Sequence, residues 1–268
     1  MSSSARGSLR AGRSRTPAER FGFTRSDSQL GARLDLGTDI DTIEISEAPM
    51  QIGDFRTENF NVLPSLHEAG RNLERHRGAL EKLGQVIARH GLKDAVGIAL
   101  LHRHFELAPG EHLVERIDTA ARESVIVPTR DGAGMHPHLL AFMGGQWSPL
   151  EFVTDSYQAA NGTEQLRHIP AFLREYADTL AAEGVASVFG ISVFHNRDDL
   201  LDVDREVLVE STEVATRTSR MRPDSRDAVA RMDVTETLWL WDGKTCRMGC
   251  VCVYPPNQPN NHGHVHQN

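Results

Sequence analysis

The chain has 268 residues, 39% of them hydrophobic and 25% charged, which suits one large domain or two small ones. The net charge of the chain is −8. Residues 1–20 hold five Arg and one Glu, a net charge of +4, so residues 21–268 together carry −12. An acidic body lacks the basic surface by which proteins bind nucleic acids, and no apolar run is long enough for a membrane span. We therefore expect neither a nucleic-acid partner nor a membrane partner.

Both ends of the chain are predicted to lie outside the folded part. Residues 1–38 are rich in Ser, Arg and Gly, which indicates a disordered basic segment. Residues 255–268 are rich in His and Asn and indicate a mobile tail. Residues 39–254 are then a single domain. Its three cysteines lie within residues 246–252, an odd and clustered set that indicates a reducing, cytoplasmic location rather than a disulfide framework.

The first half of this domain reads as strand, helix and strands. Isoleucines alternate with polar residues within 41–50, which predicts a short strand. Ser65 and Glu68 form a capping-box pattern before an apolar stripe that runs to Ile87, and Gly91 follows it. This pattern predicts one long amphipathic helix. Further strands are predicted over residues 96–107, 111–117 and 123–128.

The second half repeats this order. Asn161 and Glu164 can cap a helix that ends at Gly184, with Pro170 in its first turn or at a kink. Asp242-Gly243 is a hairpin signal between two alternating runs. Strands are predicted over residues 139–143, 150–153, 188–196, 206–213, 235–241 and 244–254.

The two halves also match residue by residue. Residues 80–102 align without a gap with residues 173–195, and six of the 23 positions are identical. The matched pairs that matter most are Gly91 with Gly184, Gly97 with Gly190, His102 with His195 and, after a two-residue insertion, Glu115 with Glu210. This predicts an internal duplication, with the first repeat over about 39–130 and the second over about 136–254. A chance match between two generic helix–strand units is the alternative.

The predicted fold class is therefore α+β. Each repeat consists of a strand, a helix and antiparallel strands, and the two helices pack on antiparallel sheets. This order is similar to the paired βαβββ modules of the vicinal oxygen chelate proteins, although there a metal ligand lies on the strand before the helix. In the present chain the matched histidines follow the helix.

The matched histidines are the leading candidates for a site. If residues 96–107 form one strand, His102 and His104 share a face and can direct two imidazoles at one ion. His195 would approach from the other repeat, with Glu115 and Glu210 as the carboxylate candidates. Histidine and carboxylate ligands are typical of non-heme iron and zinc sites. The catalytic candidates are thus His102, His104 and His195, and all five residues are candidate ligands of a divalent iron, copper or zinc ion.

Structural or solvent-exposed roles are the alternative explanation for the same residues. His102 and His195 can be structural histidines, and Glu115 and Glu210 can lie on an exposed strand face. His136 and His138 form a second H-x-H pattern, predicted to be a solvated loop. Cys252 and its neighbour on the same strand face are predicted to be buried as small hydrophobic residues.

A second resemblance concerns the same region. Gly97, His102, His104 and Glu111 resemble the first motif of the cupins over 15 residues, although the spacing from His104 to Glu111 is longer than usual. The resemblance implies a jelly-roll barrel, with the turn at Pro109-Gly110. A long helix directly before the motif departs from that fold.

The expected function is that of a metal-dependent enzyme acting on a small organic molecule, either an oxidoreductase or oxygenase or a lyase or hydrolase of specialised metabolism. One alternative is a non-catalytic binding protein whose cleft lies between the repeats. Another is a metal-free enzyme that uses histidine as an acid or base.

Overall fold

The computed structural model describes residues 54–154, 157–195 and 201–254, and its strands form a closed barrel. The strand order around the barrel is β1-β6-β4-β5-β2-β3-β8-β7-β10-β9. The ten strands are β1 Val96–Leu100, β2 His112–Asp118, β3 Glu123–Thr129, β4 Met135–Met143, β5 Gln146–Thr154, β6 Phe189–Val193, β7 Glu206–Glu213, β8 Thr218–Ser225, β9 Val234–Trp241 and β10 Cys246–Val253. The helices are α1 Thr57–Asn61, α2 Leu66–His76, α3 Ala79–Arg89, α4 Tyr157–Arg167, α5 Pro170–Ala182 and α6 Arg226–Val229.

The predicted α+β fold, with two helices packed on antiparallel sheets, is wrong. Strand makes up 40% of the structure and helix 27%, and the strands close on themselves. Two neighbouring pairs, β2–β5 and β7–β10, are parallel. Hydrophobic alternation indicates where strands lie but not which strands pair, so the closure was not visible in the pattern. The strand predicted within 41–50 and both predicted tails lie outside the described residues.

The helical regions follow the predicted signals with two breaks. The second predicted helix divides into α4 and α5, with Pro170 in the first turn of α5, and Asn161 lies within α4 instead of capping it. The capping box is present, because the Ser65 hydroxyl accepts from the Glu68 backbone N–H and the Glu68 carboxylate accepts from the Ser65 N–H. The predicted long helix divides into α2 and α3 just at Gly78, glycine being a poor helix former. Gly91 and Gly184 end α3 and α5 with φ of 69° and 67°, a backbone conformation that glycine adopts without strain.

Apolar side chains pack on both sides of the barrel wall. One cluster joins the inner faces of the helices to the outside of the wall, and its members include Leu73, Leu83, Ile87, Leu173, Tyr176, Ile98, Ile191 and Trp239. The other cluster takes residues from nine of the ten strands, as side chains inside a closed barrel would, and its members include Ala99, Leu113, Ile126, Leu139, Leu208, Met221, Leu238 and Cys250. The polar groups described below interrupt this second cluster.

The strand order has a two-fold character. If each of β1 to β5 is exchanged with its counterpart in β6 to β10, the same closed order results, read around the barrel in the opposite direction. At one crossing of this symmetry Ile98 of β1 lies opposite Ile191 of β6, and these are positions that the sequence repeat matches. The matched glycines also have one role, because a Cβ on Gly97 or Gly190 would press on a carbonyl oxygen of the neighbouring strand. Descent of the two halves from one ancestral unit stays a prediction.

Candidate metal centres

The first group of polar residues, called here the thiol cluster, consists of His102, His104, Glu210 and Cys252. Strand β1 ends at Leu100, so His102 and His104 lie in the segment after the strand and not on the strand as predicted. Glu210 projects from β7 and Cys252 from β10, which are paired so that these two residues are direct neighbours. The cluster thus joins three segments that are distant in the sequence.

Donor atoms in the thiol cluster are spaced as the ligands of one ion would be. The Cys252 Sγ lies 3.5 Å from His102 Nε2, 3.8 Å from His104 Nε2 and 3.0 Å from Glu210 Oε2. His104 Nε2 lies 3.2 Å from Glu210 Oε1. Four ligands at the corners of a tetrahedron with bonds of about 2.1 Å are about 3.4 Å apart. These four separations are close to that value, and all the donor atoms lie within 4.8 Å of one another, so the cluster is of a size that one ion could fill.

The surroundings set the protonation of the thiol cluster. His102 Nδ1 lies 2.9 Å from the Leu100 carbonyl oxygen, which only accepts, so Nδ1 carries the proton and Nε2 faces the cluster. Burial, together with the nearby His104, lowers the pKa of His102 to about 4. Burial alone would raise the pKa of Glu210, but His104 and His102 and two hydrogen bonds lower it to about 2. A neutral imidazole beside a carboxylate is the form in which both bind metal.

The second group, called here the thiol-free cluster, consists of Glu115, His138 and His195. His195 Nε2 lies 2.6 Å from Glu115 Oε2, and His138 Nε2 lies 3.5 Å from the same oxygen. The Ser124 hydroxyl donates to Glu115 Oε1 at 2.6 Å. His195 Nδ1 lies 3.0 Å from the Val193 carbonyl oxygen, the same arrangement as in His102. Glu115 is 2% and His195 1% exposed, so both side chains are held inside the barrel.

The two clusters occupy matching places in the two halves. Cys252 lies beside Glu210 in the β7–β10 pair, and Val153 lies beside Glu115 in the β2–β5 pair. A β-bulge interrupts the β4–β5 hairpin and the β9–β10 hairpin at the same place. In β4–β5 the partners Pro137 and Phe152 are followed by Leu139 and Glu151. In β9–β10 the partners Glu236 and Val251 are followed by Leu238 and Cys250. The residues left between these pairs are His138 and Thr237. A bulge re-aims a side chain, which places His138 in the thiol-free cluster and Thr237 3.7 Å from Cys252 Sγ.

All five candidate residues of the sequence analysis lie in these clusters, but not around one ion. His102 and His104 lie with Glu210, and His195 lies with Glu115. Each glutamate therefore contacts histidine from the other half of the chain. The explanation of Glu115 and Glu210 as exposed strand residues is wrong, since both are buried. Their roles stay predictions.

Two members of these clusters, His138 and Cys252, are not among the site residues predicted from the sequence. His138 was placed in a solvated loop, whereas it lies in β4 and is 4% exposed. Pro137 and the glycines before the H-x-H pattern concealed the strand. Cys252 is buried as expected, but it contacts polar groups and not only apolar ones. The alternation of Cys250 and Cys252 toward one face was the available signal. Glu111, the cupin-like position, lies in neither cluster and pairs with Arg217.

A cavity of about 70 Å³ lies inside the barrel and borders both clusters. His102, His104 and Glu210 line it from the thiol cluster, and His138 lines it from the thiol-free cluster. Most of the remaining wall is apolar, and polar groups come from Arg103, Glu151, Ser192, Ser219 and Thr237. An apolar cavity of about 150 Å³ admits benzene, so this space suits a ligand of only a few heavy atoms.

Comparisons with protein-family models, curated proteins and solved structures give no match for the chain. Among the described residues, no helix is both long enough and apolar enough to cross a membrane.

Proposed function

We propose that the protein is a metal-dependent enzyme whose ion is bound by His102, His104, Glu210 and Cys252. The observation that carries this proposal is that the donor atoms all lie within 4.8 Å of one another, with four of their separations at 3.0 to 3.8 Å, in a cluster closed to most solvent. Imidazole, thiolate and carboxylate together suit zinc, which accepts nitrogen, sulfur and oxygen ligands in tetrahedral geometry. Copper and iron remain the other ions that such ligands accept.

Glu210 would be the ligand that gives way when water or substrate binds the ion. It borders the cavity together with the two histidines, whereas Cys252 does not line it. A catalytic zinc keeps one position for water or substrate, and a carboxylate is the ligand here that yields most readily. The ion would then polarise a substrate oxygen or activate a bound water molecule.

The substrate is a small molecule, or the small reactive end of a larger one. The volume of about 70 Å³ and the apolar wall limit what fits beside the ion. All three cysteines are free and Cys252 is buried, which supports a reducing, cytoplasmic location where the thiol stays available to a metal.

The test is metal analysis of the full-length chain, expressed without an affinity tag. The variant Cys252→Ser with His104→Ala is compared with Cys246→Ser, which changes a cysteine outside both clusters. We expect the double variant to hold one equivalent of metal less than the wild type, and Cys246→Ser to hold as much. Loaded with Co²⁺, the wild type should show a thiolate-to-cobalt charge-transfer band that Cys252→Ser removes. A band unchanged in Cys252→Ser would refute the proposal, and no bound metal would favour the non-catalytic binding protein.

A further inference from the structure

The thiol-free cluster contains more buried polar chemistry than packing requires. Glu115, His138 and His195 are each less than 5% exposed, and their rings and carboxylate are in mutual contact. The two imidazole centroids are 4.4 Å apart. Burying a charge is costly unless it is paired or bound to a metal, so the Glu115 carboxylate must be compensated here by the two imidazoles or by an ion held among them.

The donor set is that of a metal site. Two imidazole nitrogens and a carboxylate oxygen form the ligand pattern that binds iron(II) in non-heme enzymes and zinc in hydrolases. Both His138 Nε2 and His195 Nε2 are directed at one oxygen, Glu115 Oε2. Glu151 supplies a further carboxylate, 3.7 Å from His138 Nε2.

Neighbouring groups already orient the donors. The Val193 carbonyl fixes the ring of His195 through Nδ1, and the Ser124 hydroxyl fixes the carboxylate of Glu115 through Oε1. In metal sites, histidine ligands almost always have such a partner on the other nitrogen, and carboxylate ligands are hydrogen-bonded too. The Ser124 and Val193 contacts leave the remaining atoms, Nε2 and Oε2, facing each other.

We propose that Glu115, His138 and His195 form a second metal site, which binds a divalent transition-metal ion through nitrogen and oxygen ligands only. Val153 stands where the thiol cluster has Cys252, and His138 stands where it has Thr237. The second site thus exchanges a thiolate for an imidazole, which favours Fe²⁺, Mn²⁺ or Zn²⁺ over the softer Cu⁺. The comparison with the thiol cluster rests on the proposed function, whereas the ligand set of the second site does not.

The experiment titrates the full-length chain with Co²⁺ and follows both stoichiometry and the thiolate charge-transfer band. Three histidines of the tail, His262, His264 and His266, are replaced by Ala in every sample to remove loose binding. We expect two equivalents in this background. Glu115→Gln with His138→Gln should lose one equivalent, or at least about a hundredfold in affinity, and keep the band. His136→Gln, a matched change two residues earlier in β4, should keep both equivalents.

The two proposals fail in different ways. One equivalent with a thiolate band, unaffected by Glu115→Gln and His138→Gln, would refute the second site and keep the first. One equivalent without the band, lost in those variants, would refute the thiol site and keep the second. If the double variant unfolds, as near-ultraviolet circular dichroism would show, Ser124→Ala replaces it. That change leaves all three ligands in place and should weaken the thiol-free site about tenfold while sparing the band.

Discussion

At the scale of single residues, backbone carbonyls determine what the two matched histidines can do. Leu100 and Val193 each present a carbonyl oxygen to the Nδ1 atom of the histidine two residues later. A carbonyl only accepts, so each ring donates from Nδ1 and directs Nε2 into its cluster. The repeat in the sequence identified His102 and His195 as equivalent. It did not show their partners, because a glutamate in contact across the barrel leaves no trace in local spacing.

Glu111 allows a test of electrostatics away from both clusters. Its carboxylate accepts from two Arg217 nitrogens at 2.6 and 3.0 Å and from the Ala108 N–H at 2.8 Å. These bonds lower the pKa of Glu111 to about 2, from about 4.3 in an unfolded chain. A lowered carboxyl pKa contributes stability that is full above about pH 4.3 and is lost as the pH falls toward 2.

We therefore expect Glu111→Gln to be less stable than the wild type at pH 7 and equal to it near pH 2. Urea unfolding at a series of pH values measures the difference. Glu106→Gln is the control, because Glu106 is mostly exposed and lies 3.5 Å from Arg103. A gap between wild type and Glu111→Gln that is the same at all pH values would contradict this account.

At the scale of elements, the segment that carries His102 and His104 is irregular yet firmly held. The Arg103 N–H donates to the Pro64 carbonyl at 2.9 Å, next to the N-cap of α2. Asn61, the last residue of α1, bonds both the N–H and the carbonyl of Leu107. The end of α1 and the residue before the N-cap of α2 thus fix the loop that carries His102 and His104. Hydrophobic periodicity could not reveal α1, since it is a single turn with one buried residue.

Removing the Asn61 clamp should loosen the thiol cluster without unfolding the barrel. Asn61→Ala leaves the buried N–H and carbonyl of Leu107 without these partners, which costs about 1–3 kcal/mol. We expect the affinity of the thiol cluster for Co²⁺ to fall roughly tenfold, as when outer contacts of a ligand are lost. Asn59→Ala, on the same helix, removes one 3.1 Å bond to Ser148 and is the control. Equal affinities in the two variants would show that the clamp does not position the ligands.

Element positions were largely readable from the sequence, for local reasons. β7 has the predicted bounds, and both helix-ending glycines act as predicted. β8 was missed because its polar and charged residues hide the alternation, and only Ser219 and Met221 are buried. β1 is shorter than predicted, since apolar residues continue into the loop that fills the barrel end.

At the scale of the whole molecule, each cluster combines side chains from both halves of the chain, and local sequence patterns could not predict this. The thiol cluster takes two histidines from the half with β1 to β5, and Glu210 and Cys252 from the half with β6 to β10. The thiol-free cluster takes Glu115 and His138 from the first of these halves and His195 from the second. Closure of the barrel creates both clusters at once. Pairings such as β3–β8 and β1–β6 join residues about a hundred positions apart. Contacts over such a separation cannot be read from local sequence patterns.

Because each cluster links both halves, a bound ion should stabilise the barrel as a unit. An ion present at a hundred times its dissociation constant adds about 2.7 kcal/mol, or roughly 5–10 °C in Tm for a domain of this size. Removing the metal with a chelator should lower Tm by that amount while keeping a single cooperative transition. Calorimetry with and without chelator measures both, and the Cys252→Ser, His104→Ala variant should respond less. Two separate transitions would instead mean that the halves unfold independently, which the shared clusters do not allow.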